Sequence, residues 1–191
     1  MKNVMQKRRA VFLDRDGVLN DARVDAGRPY PPKRPEEVVM LPGVADACSR
    51  LADAGWLLFM VTNQPDIARG LTTRETVDAI NDIVSTGLSI AEILVCPHDD
   101  ADRCRCRKPS PGMLLAAAEQ WNLDLGASVI VGDRWRDIEA GRQAGVRTIF
   151  VDRGYSEELR SEPDHVVAGL GDAAELLLAR PRASIDDWDS H

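Results

Sequence analysis

The chain has 191 residues, of which 44% are hydrophobic and 29% charged, with a formal net charge of -7. That is enough chain for one domain with its own core, and the balance excludes a disordered polymer. The acidic total argues against a protein that lives on nucleic-acid backbones, and no apolar run approaches the ~20 residues that a membrane-spanning helix requires.

The basic start, Met1 to Arg9, leads into only four apolar residues before Asp14. That run is too short for a secretory signal, so the expected location is the cytoplasm. Ala10-Val11-Phe12-Leu13 reads as a buried strand ending at Asp14. Residues 20–41 hold Gly27, Pro29, Pro31, Pro32 and Pro35, and read as an extended loop or flap because each proline removes a backbone donor. Val44, Ala47, Cys48 and Leu51 share one face of a helix over 43–54, with Gly55 as its stop. Trp56 to Val61 is a second buried strand, running out into Thr62-Asn63. After a loop to Leu71, Thr72 and Glu75 have capping-box spacing for a helix that carries Val77, Ile80 and Val84 to about Thr86.

Ile90 to Val95 is a third strand, and 96–109 a polar loop rich in cysteine. Ser110 and Pro111 suit the N-cap and first position of a helix with Leu114, Leu115 and Ala118. Val129 to Val131 is a fourth strand, ending at Gly132-Asp133, and 135–144 is a helix closed by Gly145. Thr148 to Val151 is a fifth strand, His165-Val166-Val167 a sixth, and 171–179 a last helix. This alternation predicts an α/β fold: a doubly wound, mostly parallel sheet with helices on both faces. Residues 1–180 form one domain, and 181–191, with Trp188, a polar tail that frays.

In such a sheet the ligand sits beyond the carboxyl ends of the strands. Four polar segments fall there: Asp14-Arg15-Asp16-Gly17, Thr62-Asn63, Arg107-Lys108-Pro109, and Gly132-Asp133 with Asp137 four residues on. Asp14 and Asp16 are two apart, so an extended backbone turns both carboxylates to one side. Close carboxylates repel unless a cation sits between them, and with Asp133 three hard oxygen donors suit Mg²⁺. Lys108 offers a point charge to a phosphate, Thr62 a hydroxyl donor, and Arg107 a bidentate fork.

Cys96-Pro97-His98 and, five residues later, Cys104-Arg105-Cys106 make a second constellation. Three thiolates and one imidazole suit a closed tetrahedral Zn²⁺ site, structural because no position is left for substrate. The loop runs straight into Arg107 and Lys108, so zinc would lock the segment that aims both cations.

Taken in order, Asp-x-Asp-Gly, Thr-Asn, Lys-Pro and Gly-Asp-x-x-x-Asp resemble the four motifs of the haloacid dehalogenase superfamily of phosphohydrolases, from about Phe12 to Asp152. The resemblance implies a Rossmann-like sheet, with Asp14 as nucleophile and Asp16 as general acid and base. It further implies Thr62 and Lys108 on the phosphoryl group, Mg²⁺ on Asp14, Asp16 and Asp133, and Asp137 orienting that cluster from behind. With the zinc loop on Cys96, His98, Cys104 and Cys106, Asp-Arg-Asp-Gly-Val-Leu-Asn and Thr-Asn-Gln-x-x-Ile-Ala-Arg-Gly are similar to two groups. These are the D-glycero-D-manno-heptose 1,7-bisphosphate phosphatases and the phosphatase domain of histidinol-phosphate phosphatase. Ile67-Ala68-Arg69-Gly70 and Pro111-Gly112-Met113-Leu114 favour the heptose group, which implies substrate contacts at Ala22, Arg23, Val24, Asp25, Thr62, Asn63, Gln64, Pro65, Arg107, Lys108 and Arg134.

Asp66 stands where glycine is common in the heptose group; a carboxylate there either repels a second phosphate or accepts from a hydroxyl. The gaps from Asp16 to Thr62 and from Thr62 to Lys108 leave no room for an inserted cap domain. Residues 20–35, 64–70 and the zinc loop are then the walls that control water, and Arg23, Arg28, Arg69 and Arg134 are candidates for a distal phosphate or sugar hydroxyls. The expected partner is a small phosphorylated metabolite, a sugar bisphosphate or histidinol phosphate, acted on by a monomer with no nucleic acid and no membrane involved.

Overall fold

The computed structural model describes residues 7–179, so the tail at 181–191, with Trp188, lies outside the described residues. The chain runs in order through β1 (Ala10–Leu13), β2 (Arg23–Asp25), β3 (Arg28–Tyr30), α1 (Val44–Asp53), β4 (Leu57–Asn63), α2 (Arg74–Ser85) and β5 (Ile90–Cys96). It continues through α3 (Gly112–Trp121), β6 (Val129–Gly132), α4 (Trp135–Ala144), β7 (Arg147–Val151), β8 (His165–Val167) and α5 (Leu170–Leu178).

Six strands form one parallel sheet in the order β5-β4-β1-β6-β7-β8. All four residues of β1 are buried, because the strand is central and covered on both faces. Val11 and Leu13 face a core built with Leu58, Met60, Val129 and Val131 against α1, α2 and α5. Ala10 and Phe12 face the opposite core, with Phe59, Val61 and Ile130 against α3 and α4. The strand order reverses at β1, so its C-terminal end lies beside those of β4 and β6, and a crevice opens there. Neither connection leaving β1 or β4 holds an inserted domain: the first carries a hairpin and α1, the second only a loop and α2. Cys48 lies in the first core, where burial pushes its thiol up to about 12. Among the described residues no helix is long and apolar enough to cross a membrane.

Three local expectations change. The flap contains an antiparallel hairpin, β2 with β3, pairing Arg23 with Tyr30, Val24 with Pro29 and Asp25 with Arg28. Ala26 and Gly27 both have positive φ, as a two-residue turn of the I′ type requires. Asp25 and Arg28 close that turn as the hydrogen-bonded pair. Pro29 therefore falls at a non-hydrogen-bonded position, where its missing N–H costs nothing. The cap of α2 is Thr73 rather than Thr72, its side chain accepting from the Thr76 N–H. Helix α3 starts at Gly112 with Pro111 as N-cap, because Ser110 is held in a turn by its bond to the Arg107 carbonyl. Gly112 donates to the Arg105 carbonyl, and a Cβ there would sit 2.1 Å from that oxygen, so only glycine lets α3 meet the cysteine loop.

Helix α4 lies equally close to the sheet at Gly141, where a Cβ would meet Ile130 Cγ2 at 2.4 Å and Thr148 Cγ2 at 2.8 Å. Gly141→Ala should lower the unfolding free energy in urea by about 1–3 kcal/mol through overpacking, despite alanine's better helix propensity. Gly145→Ala, at a left-handed cap facing open space, should cost about 1 kcal/mol. A neutral Gly141→Ala would contradict the close seating of α4.

Candidate active site

Lys108 is a charge buried at the sheet's carboxyl edge, 2% exposed. Its Nζ lies 2.8 Å from Asp14 Oδ1, beyond β1, and 2.6 Å from Asp137 Oδ1, on α4, and donates to the Val61 carbonyl of β4 at 2.8 Å. Burial alone would favour the neutral amine, but Asp137 and Asp14 outweigh it and hold the ammonium well above the ordinary lysine range. The Lys108 backbone is clasped by Asn63, whose amide donates to the Lys108 carbonyl at 2.9 Å and accepts from the Lys108 N–H at 3.1 Å. Asn63 therefore uses its amide to aim the lysine and also lines the cleft.

Asp133, at the end of β6, is 2% exposed, and neither of its carboxylate oxygens has a donor in full hydrogen-bond geometry, although the Tyr155 hydroxyl lies close by and partly offsets its burial. Burial, then the charges of Asp14 and Asp137, push its carboxyl well above the usual carboxylate range. Asp137 is pushed up to about 6, by burial first and by Asp14 second, with Lys108 opposing. Carboxylate oxygens of Asp14, Asp133 and Asp137 all lie within 4.8 Å of one another. Three carboxylates against one ammonium leave two negative charges, and Asp133 leaves two bare oxygens. A divalent hard cation fits both deficits. Gly17 makes room for this: a Cβ there would sit 1.8 Å from Asp133 Oδ2.

The Asp16 carboxylate is not part of that cluster, contrary to the expectation from its spacing. It turns to Arg15, Asn20 and Gln64, because the backbone bends after Asp14 instead of staying extended. Any contribution of Asp16 to a cation is then a main-chain one. Gln64 also donates to Thr62 Oγ1 at 2.8 Å, so the Thr62 O–H keeps its own proton to give elsewhere. Gln64, like Asn63, has partners inside the site and also lines the cleft.

These residues floor a cleft of about 730 Å³. Arg23, Arg28, Pro65, Arg69, Arg107 and Arg134 reach its wall, but Ala22, Val24 and Asp25 do not. Ala22 is buried and, by strand alternation, Val24 points away from the face that Arg23 presents. Arg69 is bound by Asp99 at 2.7 and 2.9 Å and by Asp66 at 3.2 Å, so Asp66 acts as a partner of Arg69 rather than a free charge. Arg134 makes a two-pronged pair with Glu157. Arg107 donates to Asp100 at 2.8 Å, while its Nη1 is buried without a partner. Arg136, which the sequence reading passed over, also lines the cleft, bound to Asp100 at 3.0 and 3.1 Å. Its only sequence signal is its place beside Asp137 in the same motif.

Behind the cleft, Cys96, His98, Cys104 and Cys106 come together. Cys106 Sγ lies 3.3 Å from Cys96 Sγ, 3.4 Å from Cys104 Sγ and 3.3 Å from His98 Nδ1, and no disulfide forms. A tetrahedron with Zn–S near 2.3 Å has edges of about 3.5–3.8 Å, so the four donors are spaced for such an ion.

Comparison with known proteins agrees in fold and in chemistry. A family model described as HAD-hydrolase-like matches residues 105–173. The D-glycero-beta-D-manno-heptose-1,7-bisphosphate 7-phosphatase of Bordetella bronchiseptica is 37% identical over 181 residues, covering 88% of this chain and 97% of that one. The enzyme of the same name from Yersinia pestis is 35% identical over 186 residues, 90% of this chain and 96% of that one. A crystal structure of the D,D-heptose 1,7-bisphosphate phosphatase from B. bronchiseptica, complexed with magnesium and phosphate, superposes with a TM-score of 0.79. It is 36% identical and covers 90% of this chain and 98% of that chain.

The raised carboxyls of Asp133 and Asp137 set a pH signature for the magnesium-free protein. The folded chain keeps protons that the unfolded chain has lost, so stability falls as pH rises from about 4 through about 6, and further for Asp133. Surface carboxyls held low, such as Asp99 near 2, titrate below that window. The thermal midpoint without magnesium should be lower at pH 7 than at pH 5, and added Mg²⁺ should raise it more at pH 7. A midpoint that rises between pH 5 and 7 without magnesium would contradict the buried cluster.

Proposed function

The chain belongs to the D-glycero-D-manno-heptose-1,7-bisphosphate 7-phosphatases of the haloacid dehalogenase-like hydrolases, and from that premise we propose that it removes the 7-phosphate of that sugar through a phosphorylated Asp14. It is a phosphatase. The observation that carries the reading is the Asp14–Lys108–Asp137 chain beside the bare carboxylate of Asp133.

Asp14 attacks phosphorus, the bond to the sugar oxygen breaks, and Asp16 gives its proton to the departing alkoxide. Asp16, now a carboxylate, takes a proton from the water that attacks the aspartyl phosphate. Inorganic phosphate leaves and Asp14 is restored. The Lys108 ammonium and the Thr62 hydroxyl meet phosphoryl oxygens, and Asp137 holds the lysine in place. Mg²⁺ suits the carboxylates of Asp14 and Asp133 with a main-chain oxygen of Asp16; when bound it supplies positive charge against the phosphoryl oxygens. Zn²⁺ suits Cys96, His98, Cys104 and Cys106, where its role is to hold the loop that leads into Arg107 and Lys108.

The second phosphate falls to the cations still able to give donors to the cleft. These are Arg107 through its unpartnered Nη1, with Arg23 and Arg28 on the hairpin. Arg69 and Arg134 are already committed to carboxylates and act first as wall ties. All the residues of this mechanism come from one chain, which is taken as the acting unit. Thiols that must stay free for metal suit the cytoplasm.

Phosphate release with Mg²⁺ should be fastest from heptose 1,7-bisphosphate in a panel holding both of its anomers, histidinol phosphate, simple sugar phosphates and a 3′-phosphorylated oligonucleotide. Asp14→Asn should lower turnover by at least about a thousandfold. Release confined to histidinol phosphate would overturn the substrate, and an active Asp14→Asn would overturn the nucleophile.

A further inference from the structure

Arg15 lies between the two aspartates of the first motif, and its side chain is completely buried. A guanidinium cannot shed its proton, and burying it costs several kcal/mol unless its donors are met. Its Nε lies 3.2 Å from both Asp16 carboxylate oxygens, and its Nη2 donates to Asp16 Oδ2 at 2.9 Å. Its Nη1 donates to Asn81 Oδ1 at 2.8 Å.

Asn81 is out of keeping with its surroundings. It lies on the buried face of α2 with Val77, Ile80 and Val84 and is 2% exposed. Its Nδ2 is buried without any acceptor, a defect that costs about 1–3 kcal/mol. An aliphatic residue would pack there without that cost. What the asparagine supplies is one carbonyl oxygen, and that oxygen goes to Arg15. A departure from core chemistry with one polar contact to show for it marks a functional constraint.

The remaining donors complete the frame. Asn20 Nδ2 reaches Asp16 Oδ1 at 3.0 Å, and Gln64 Nε2 reaches Asp16 Oδ2 at 3.1 Å. Side chains of three residues, from the loop after β1 and the end of β4, thus fix the plane of one carboxylate, and Arg15 is tied in turn to α2 through Asn81.

We propose that Arg15, braced by Asn81 on α2, is the positioning residue that orients Asp16 for proton transfer to the leaving group. This rests on the reading of Asp16 as the general acid. Neither Arg15 nor Asn81 needs to touch substrate; their effect passes through the angle at which Asp16 is held.

The test compares 4-nitrophenyl phosphate, whose leaving group needs no proton, with 4-nitrobenzyl phosphate, nearly the same shape, whose alkoxide does. kcat/KM reports phosphoryl transfer to Asp14 and is blind to the later hydrolysis. Asn81→Leu, which keeps Arg15 and matches the cavity, and Arg15→Lys should each raise the aryl-to-alkyl ratio of kcat/KM by about tenfold. Magnesium dependence should stay close to that of the parent, while the thermal midpoint should fall, because each change breaks the buried contact between Arg15 Nη1 and Asn81 Oδ1. Asp16→Asn should raise the ratio further. If Asp16→Asn splits the two esters while Asn81→Leu and Arg15→Lys depress both alike or leave both unchanged, Arg15 and Asn81 only fill space and the proposal is wrong. If Asp16→Asn also fails to split them, the general-acid reading falls first and the proposal with it. Should Arg15→Lys not fold, Asn81→Leu alone decides.

Discussion

A lysine ammonium shut away from water between two carboxylates is the constraint that the other parts of this molecule serve. Lys108 can stay charged only because Asp14 and Asp137 stand within 2.8 Å of it. Those residues come from three separate segments, beyond β1, before α3 and inside α4. They meet because a parallel sheet brings its strand ends to one edge and reverses order at β1. The same arrangement leaves Asp133 with two bare oxygens and the cluster with excess negative charge. The energetic debt of the buried acids is the affinity for a divalent cation seen from the other side.

Much of the surrounding structure holds Lys108 in register. Asn63 grips its backbone through both amide atoms, and Arg136 reaches its carbonyl at 3.4 Å. The cysteine cluster closes two residues upstream, and Gly112 lets α3 pack onto that loop through the Arg105 carbonyl. Asp99 and Asp100, just after His98, bind Arg69, Arg107 and Arg136. The loop that gathers the thiols therefore also gathers the cleft's arginines. In a protein without a cap domain, ties of this kind are what give the cleft a wall.

The sheet and the reacting carboxylates were legible in the sequence for physical reasons. Fully buried parallel strands are short apolar runs, and Asp14, Thr62 and Asp133 mark where those runs stop. The cysteine loop was legible because ligand spacing is local. Residues 20–30 misled because proline counts against strands unless the hairpin register is known. Asn63 and Gln64 lay at the right strand end, but that their amides also grip Lys108, Thr62 and Asp16 was not legible, because side-chain direction is not written in spacing. The link from Arg15 to Asn81 joins positions 66 apart. In the sequence, Asn81 is merely a polar interruption of an apolar helix face, with nothing to name its partner.

Every role proposed for this cleft requires Asp14 to become phosphorylated, and trapping that species tests it directly. Enzyme in excess would be mixed with a single turnover of heptose 1,7-bisphosphate and Mg²⁺, quenched in acid within milliseconds, digested and analysed by mass spectrometry. One phosphoryl group is expected on the peptide carrying Asp14, appearing before free phosphate and decaying as free phosphate forms. Free phosphate rising with no lag, with no phosphorylated peptide at any time, would show direct attack by water and contradict that role for Asp14.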